Sequence, residues 1–125
     1  MDEGIEVALV AARAHAAALV AAHPYPAHHG PWPERATQRW GRDWQRLAPL
    51  VDRWELFNGR NLYGWIAERG LPGIACGDFH RLTDLAGWKT VMPCAKDADS
   101  VVEYLRSTRP VYLTAFEEPA HAAAA

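Results

Sequence analysis

Short apolar runs alternate with helical patterns along this chain. Apolar residues at helical spacing predict a helix from Glu3 to about residue 18, and the apolar run over residues 19–23 predicts a strand directly after it. Pro24 disfavours the helical conformation at the residue before it, so we expect this strand to end at His23. The first unit of the chain is therefore predicted to be a helix followed by a strand.

The same alternation continues through the rest of the chain. Trp40, Trp44 and Leu47 fall on one face of a predicted helix that ends or kinks near Pro49. Further strands are predicted over residues 53–58, 73–77, 89–93 and 111–114, and further helices over residues 61–69 and from about residue 97. Strands that alternate with helices are typical of an α/β fold with mainly parallel strands.

The composition indicates one globular domain over residues 1–125, in which residues 115–125 are expected to form a frayed tail. Half of the 125 residues are hydrophobic, which is enough for a single core. The formal net charge is −2, from 13 basic and 15 acidic residues without a basic run, which argues against a nucleic-acid partner. The alanine-rich stretch over residues 8–22 is too short and too weakly apolar to predict a membrane span.

The two cysteines, Cys76 and Cys94, lie far apart in a sequence without a hydrophobic signal segment. This usage favours reduced thiols, and we expect a cytoplasmic protein. Their spacing is not that of a zinc motif.

Two short motifs predict a metal site. His23 follows one apolar strand, and Asp78-x-His80 follows another. Imidazole and carboxylate are ligands that suit zinc, manganese or iron, and strand ends carry the chemistry of many α/β proteins. Each motif also has a plainer explanation, since a histidine before proline often caps a strand, and Asp-x-His can be an Asx turn with a surface histidine.

Other polar residues are placed where a phosphate would arrive. Arg81 directly follows His80, Asn58 lies at the end of a predicted strand, and His28 lies in a proline-rich loop after His23. An arginine fork matches phosphate geometry, although a surface arginine is the usual case. Asn58 before glycine can equally be turn chemistry. The sequence contains no glycine-rich phosphate loop and no evident nucleophile for covalent catalysis.

Taken in order, four segments resemble the later motifs of the PHP (polymerase and histidinol phosphatase) family: residues 22–24, 55–59, 70–81 and 87–91. The resemblance spans about residues 15–114. It implies a distorted β/α barrel whose strand ends bind divalent metals and hydrolyse phosphate esters, and it implies that His23, Asp78 and His80 are metal ligands. A small phosphorylated substrate is the implied partner. The metals would polarise the phosphoryl group and lower the pKa of a bound water.

The family's opening His-x-His motif has no counterpart before His15. We therefore expect a partial barrel, the carboxyl-terminal half of an amino-terminally truncated phosphoesterase, with a missing segment or a partner completing it. The alternative is a non-catalytic half-barrel that serves as an interaction module or is a degenerate remnant. A hydrolase of the amidohydrolase type would need a lysine or further histidines at strand ends, which the sequence does not offer.

Overall fold

The chain forms a mixed α/β structure in which helices and strands alternate. The computed structural model describes residues 3–26, 37–59 and 61–116. Within these residues the elements are α1 (Glu3–Ala14), β1 (Val20–Ala21), α2 (Gln38–Arg42), α3 (Trp44–Leu47), β2 (Arg53–Asn58), β3 (Asn61–Leu62), α4 (Trp65–Glu68), β4 (Gly73–Cys76), β5 (Gly87–Val91), α5 (Ala98–Arg106) and β6 (Tyr112–Phe116). The predicted strand over residues 53–58 is confirmed, and β4, β5 and β6 overlap the strands predicted from their apolar runs.

Strand β2 organises the main sheet. It pairs in parallel with β1, where Ala21 lies opposite Trp54, and in parallel with β4, where Trp54 lies opposite Gly73. Since a strand has two edges, β1 and β4 flank β2 on opposite sides. The short strand β3 returns antiparallel along the last residues of β2, on the side of β1. The carboxyl ends of β1, β2 and β4 therefore point toward the same edge of the sheet, although β1 stops opposite Trp54, whereas β2 and β4 end side by side at Asn58 and Cys76.

Strands β5 and β6 form a second, antiparallel sheet, so the prediction of mainly parallel strands is wrong for this pair. Strand β5 lies against β4 through one side chain rather than through a backbone ladder. Oγ1 of Thr90 accepts a hydrogen bond of 2.7 Å from the backbone N–H of Ala75 and donates one of 2.8 Å to the Ala75 carbonyl. The described strands form no closed barrel.

The core lies between β2 and the helices packed on it. Trp54 is fully buried, and the rings of Trp40 and Trp65 meet it edge-on at centroid distances of 5.6 and 5.8 Å. The remaining buried residues of this cluster are Ala21, Leu47, Val51, Tyr63 and Ile66. The predicted placement of Trp40, Trp44 and Leu47 on one buried side is confirmed, although Asp43 divides their helix into α2 and α3.

Helix α5 is fixed at both ends. The side chain of Asp97 accepts a hydrogen bond from the backbone N–H of Ser100 and thereby caps the first turn. At the other end, the buried guanidinium of Arg53 donates hydrogen bonds to four backbone carbonyl oxygens. Two of them belong to the last turn of α5 and two follow the helix: those of Tyr104, Leu105, Ser107 and Arg109. Arg53 thus satisfies acceptors that a helix end leaves without internal partners.

Three predicted boundaries are corrected. Helix α1 ends at Ala14 rather than near residue 18, and Ala16 adopts a left-handed φ of +57° just beyond it. Asn61 is in a strand rather than a helix, because it pairs back onto Asn58. Strand β6 continues to Phe116, so residues 115–116 do not belong to a tail; residues 117–125 lie outside the described part. Of the helices described, none has the length and apolar character needed to cross a bilayer.

Candidate functional site

The structure places His23, Asn58 and Asp78 at the same edge of the main sheet. His23 follows β1 by two residues, Asn58 ends β2, and Asp78 follows β4 by two residues. Ala21 lies opposite Trp54 of β2, whereas Cys76 lies opposite Asn58, so the backbones of His23 and Asp78 are separated across β2 and also offset along it. Their side chains would have to lean over the end of β2 to share one ligand.

His23 and Asp78 also share an unusual backbone conformation. Their φ angles are +47° and +48°, and Ala16 is the only other non-glycine residue with a positive φ among those described. His23 does not end the strand itself, since β1 stops at Ala21. The turn at His23 is closed by a hydrogen bond of 2.8 Å from the N–H of Tyr25 to the His23 carbonyl.

A buried carboxylate, that of Glu55, lies between the two strand ends. Its Oε2 accepts a hydrogen bond of 2.7 Å from the backbone N–H of His23 and one of 3.0 Å from the side-chain amide of Asn58. The same oxygen lies 3.8 Å from Nδ1 of His23. The register of β2 against β4 shifts between Glu55 and Phe57, an irregularity that re-aims side chains within a strand.

Two further ionisable groups surround this carboxylate. Burial first, and then the negative charge of Glu55, raise the pKa of Cys76 to about 12. Burial also raises the pKa of Tyr63, with further contributions from Tyr25 and from the charges of Glu55 and Asp78. Both groups therefore stay protonated at neutral pH.

The loop after β4 holds His80 through Asp78 and Asp84. Nδ1 of His80 lies 2.8 Å from the carbonyl oxygen of Asp78. A carbonyl only accepts, so Nδ1 is the donor of this contact, and Nε2 is the ring nitrogen that is left to face a ligand on a largely exposed ring. Asp84 accepts hydrogen bonds of 2.9 and 2.7 Å from the backbone N–H groups of His80 and Arg81, and these bonds lower the pKa of Asp84.

The donor chemistry of these residues fits a divalent metal, because metal-bound histidines commonly donate their second N–H to a carbonyl, as His80 does to Asp78. A complete ligand group is not assembled: within the described ranges no three His, Cys, Asp or Glu side chains converge as a metal would require. The separation of β1 and β4 by β2 accounts for this. Arg81 is exposed beside His80, while His28 lies outside the described residues.

A cavity of about 380 Å³ opens beside the segment that follows His23. The rings of Tyr25, Tyr63 and Trp65 form part of its wall, and Glu68 contributes a carboxylate. Trp65 is held in place by a hydrogen bond of 2.7 Å from Nε1 to the Pro24 carbonyl. Its size and aromatic lining are those of small-molecule pockets.

Comparison with known proteins assigns no family to the chain. No protein-family model matches it, and no curated protein matches it either. The geometry of the strand ends is therefore the basis for a function.

Sequence reasoning identified the strand-end residues but not the group that connects them. Sequence patterns place Glu55 only near a strand end and indicate no role for Tyr63 or Lys89. One signal was available: Glu55 is a charged residue inside the otherwise apolar run from Trp54 to Phe57, three residues before Asn58. A buried charge in such a run requires partners.

Proposed function

We propose that this chain carries a divalent-metal site of the PHP type and acts in the hydrolysis of phosphate esters, with His23, Asp78 and His80 as ligands of zinc, manganese or iron. The observation that carries the proposal is the matched placement of His23 and Asp78. Each lies two residues beyond a strand that flanks β2, and each has a left-handed backbone.

Left-handed backbone at a non-glycine residue costs about 1–3 kcal/mol when the surroundings impose it, and such residues cluster at functional sites. Asp and His accept this conformation more readily than most residues, which lowers the cost. Two such residues after two parallel strands that flank β2 support a functional edge. Two independent turns chosen only for stability would favour glycine at both positions.

A bound divalent metal would supply Lewis-acid polarisation of the phosphoryl group and a water of lowered pKa. The residues of the chain have separate roles in this proposal. Glu55 and Asn58 hold the turn that presents His23, Asp84 holds the backbone of His80, and Arg81 faces solvent where a phosphate can approach. The aromatic cavity beside His23 accommodates the alcohol portion of the ester. A partner supplies the remaining metal ligands.

The free thiols of Cys76 and Cys94 support a reducing, cytoplasmic setting for this activity.

A second candidate function is that of a non-catalytic interaction module. One observation favours it: within the described residues β6 pairs only with β5, and this sheet exposes Val91, Tyr112 and Phe116. An open edge with exposed apolar side chains is a template for pairing with another chain. In this alternative the partner docks on β6, and the strand-end residues have no ligand.

Calorimetric titration of the purified chain with manganese or zinc tests the metal site. We expect weak binding by the wild type, at least tenfold weaker binding by an Asp78→Asn, His80→Ala double variant, and unchanged binding by a His15→Ala control at an exposed residue just beyond α1. Equal binding by the wild type and the double variant would eliminate the site. An aryl phosphate assay with the same metals then separates the candidates: turnover that is lost in His80→Ala favours hydrolysis, and the absence of both metal binding and turnover favours the interaction module.

A further inference from the structure

A lysine ammonium group lies at the same edge of the sheet as the candidate ligands. Lys89 belongs to β5, and its side chain extends to Gly77, the residue directly after β4 and directly before Asp78. Nζ of Lys89 lies 2.7 Å from the position that a Cβ atom would take on Gly77. A positive charge thus lies over the start of the loop that carries Asp78 and His80.

Space, rather than backbone conformation, favours glycine at position 77. The φ angle of Gly77 is not positive, so its backbone would accept other residues. A Cβ atom there would meet Nζ of Lys89 at 2.7 Å, the Asp84 carbonyl oxygen at 3.6 Å and Cε of Lys89 at 3.8 Å. Any side chain at this position would therefore displace the ammonium group, which sits at the flexible end of a long side chain.

The charge of Lys89 has little local compensation. An ammonium group carries three N–H donors. Among the described residues its one hydrogen bond goes to the Asp84 carbonyl, at a long 3.3 Å, and no carboxylate forms a salt bridge with it. Lys89 is partly buried, so its charge is less screened than that of a fully solvated lysine. Two donors remain for an anion that enters from the strand ends.

We propose that Lys89 is an anion-binding residue that holds the phosphoryl group of the substrate, and that Gly77 leaves room for its ammonium group to do so. The choice of a phosphoryl group as the anion rests on the proposed function. An ammonium group binds phosphate oxygens as a compact point charge, and its hydrogen bonds to them are charge-assisted. Lys89 would then bind the phosphate from the β5 side, while Asp78 and His80 approach it from the loop.

Titration of the full chain with inorganic phosphate, without metal, tests this proposal through chemical shifts of the Lys89 ammonium and of the backbone amides of Gly77 and Asp78. We expect saturable shifts in the wild type and about tenfold weaker binding in Lys89→Gln, because one charge-assisted contact is lost. Lys96→Gln removes an exposed lysine and serves as the matched control, with affinity unchanged within about twofold. Equal phosphate affinity of the wild type and folded Lys89→Gln overturns the proposal.

Gly77→Ala provides a second variant that retains the lysine. The displaced atom is the end of a flexible side chain, so this variant should fold, yet its ammonium group should move and its phosphate affinity should fall. Gly4→Ala in α1 is the matched control, because a Cβ atom there meets no atom within 4 Å. Unchanged phosphate affinity in Gly77→Ala contradicts the role given to Gly77.

The metal titration separates this proposal from the proposed function. Phosphate binding that depends on Lys89, without metal binding at Asp78 and His80, supports the anion site and contradicts the metal site. Metal binding that depends on Asp78, with phosphate affinity insensitive to Lys89, supports the metal site and overturns the anion site.

Discussion

The carboxylate of Glu55 accepts a 2.7 Å hydrogen bond from the backbone N–H of His23, at the residue where the chain turns into the left-handed region. The two residues are 32 positions apart in the sequence. Glu55 also accepts from the amide of Asn58, so one buried side chain connects the end of β1 to the end of β2. The geometry of this edge depends on a carboxylate inside the sheet.

Truncating this carboxylate should destabilise the protein. Glu55→Ala leaves the His23 N–H and the Asn58 amide without their acceptor, and we expect a loss of about 2–4 kcal/mol in the free energy of unfolding. Glu55→Gln should lose less, because its amide oxygen still accepts. Urea denaturation measures both variants, with Glu103→Ala as the control, since Glu103 is exposed on α5. A Glu55→Ala variant as stable as the control would contradict the assigned role.

The charge of Glu55 should also control the reactivity of Cys76. Burial and the neighbouring carboxylate raise the pKa of this thiol to about 12, so little thiolate forms at pH 8. Glu55→Gln removes the negative charge, lowers the pKa of Cys76 and should accelerate its alkylation by iodoacetamide several-fold. The rate at Cys94, measured in the same sample by peptide mass spectrometry, should not change. An equal acceleration at both thiols would indicate general loosening of the fold instead.

The left-handed residues predict opposite effects on stability and on ligand binding. Ala16→Gly should stabilise the chain by about 0.5–1 kcal/mol, because glycine adopts a φ of +57° without strain. Asp78→Gly should relieve strain in the same way while abolishing metal binding. Thermal unfolding and metal calorimetry measure the two effects. Destabilisation by Asp78→Gly comparable to that of an ordinary core truncation would show that Asp78 serves the fold rather than a ligand.

The strands of the main sheet could be predicted because their signals are local. The apolar runs of β2 and β4 are bounded by Gly59 and Gly77, and β2 matches its predicted range. The direction of β6 relative to β5 could not be predicted. The α5 helix between them suggests a parallel crossover, whereas the two strands pair antiparallel, and periodicity carries no information on strand direction.

The candidate site was predictable to a similar degree. The strand ends locate His23 and Asp78, since a parallel sheet brings those ends to one edge. The partners of these residues depend on non-local packing. Glu55 is aimed by an irregular register within β2, and Lys89 reaches Gly77 only because β5 packs on β4 through Thr90.

Arg53 should be more important for stability than a surface arginine. Its guanidinium is buried, and it donates to several carbonyl oxygens around the end of α5. Arg53→Met leaves these acceptors unsatisfied, and we expect a loss of about 3 kcal/mol in the free energy of unfolding. Arg42→Met, which removes an exposed ion pair with Asp43, should lose at most about 1 kcal/mol. Similar urea midpoints for the two variants would contradict the anchoring of α5 by Arg53.

The loop that presents His80 should depend on the ionisation of Asp84. The N–H groups of His80 and then of Arg81 hold the pKa of this carboxyl below its ordinary value of 3.8. A lowered pKa in the folded state means that the stabilisation is fully present above the ordinary value and is lost as the pH falls through the lowered one. Amide proton shifts of His80 and Arg81 should therefore stay constant above about pH 5 and change together with a midpoint below 3.8.

The amide of Ser100, which is hydrogen-bonded to Asp97, provides an internal comparison for this titration, since the pKa of Asp97 is lowered by the same kind of contact. In Asp84→Asn the transition at His80 and Arg81 should vanish while that at Ser100 persists; a midpoint above 3.8, or a transition that survives in Asp84→Asn, would show that another group holds this loop.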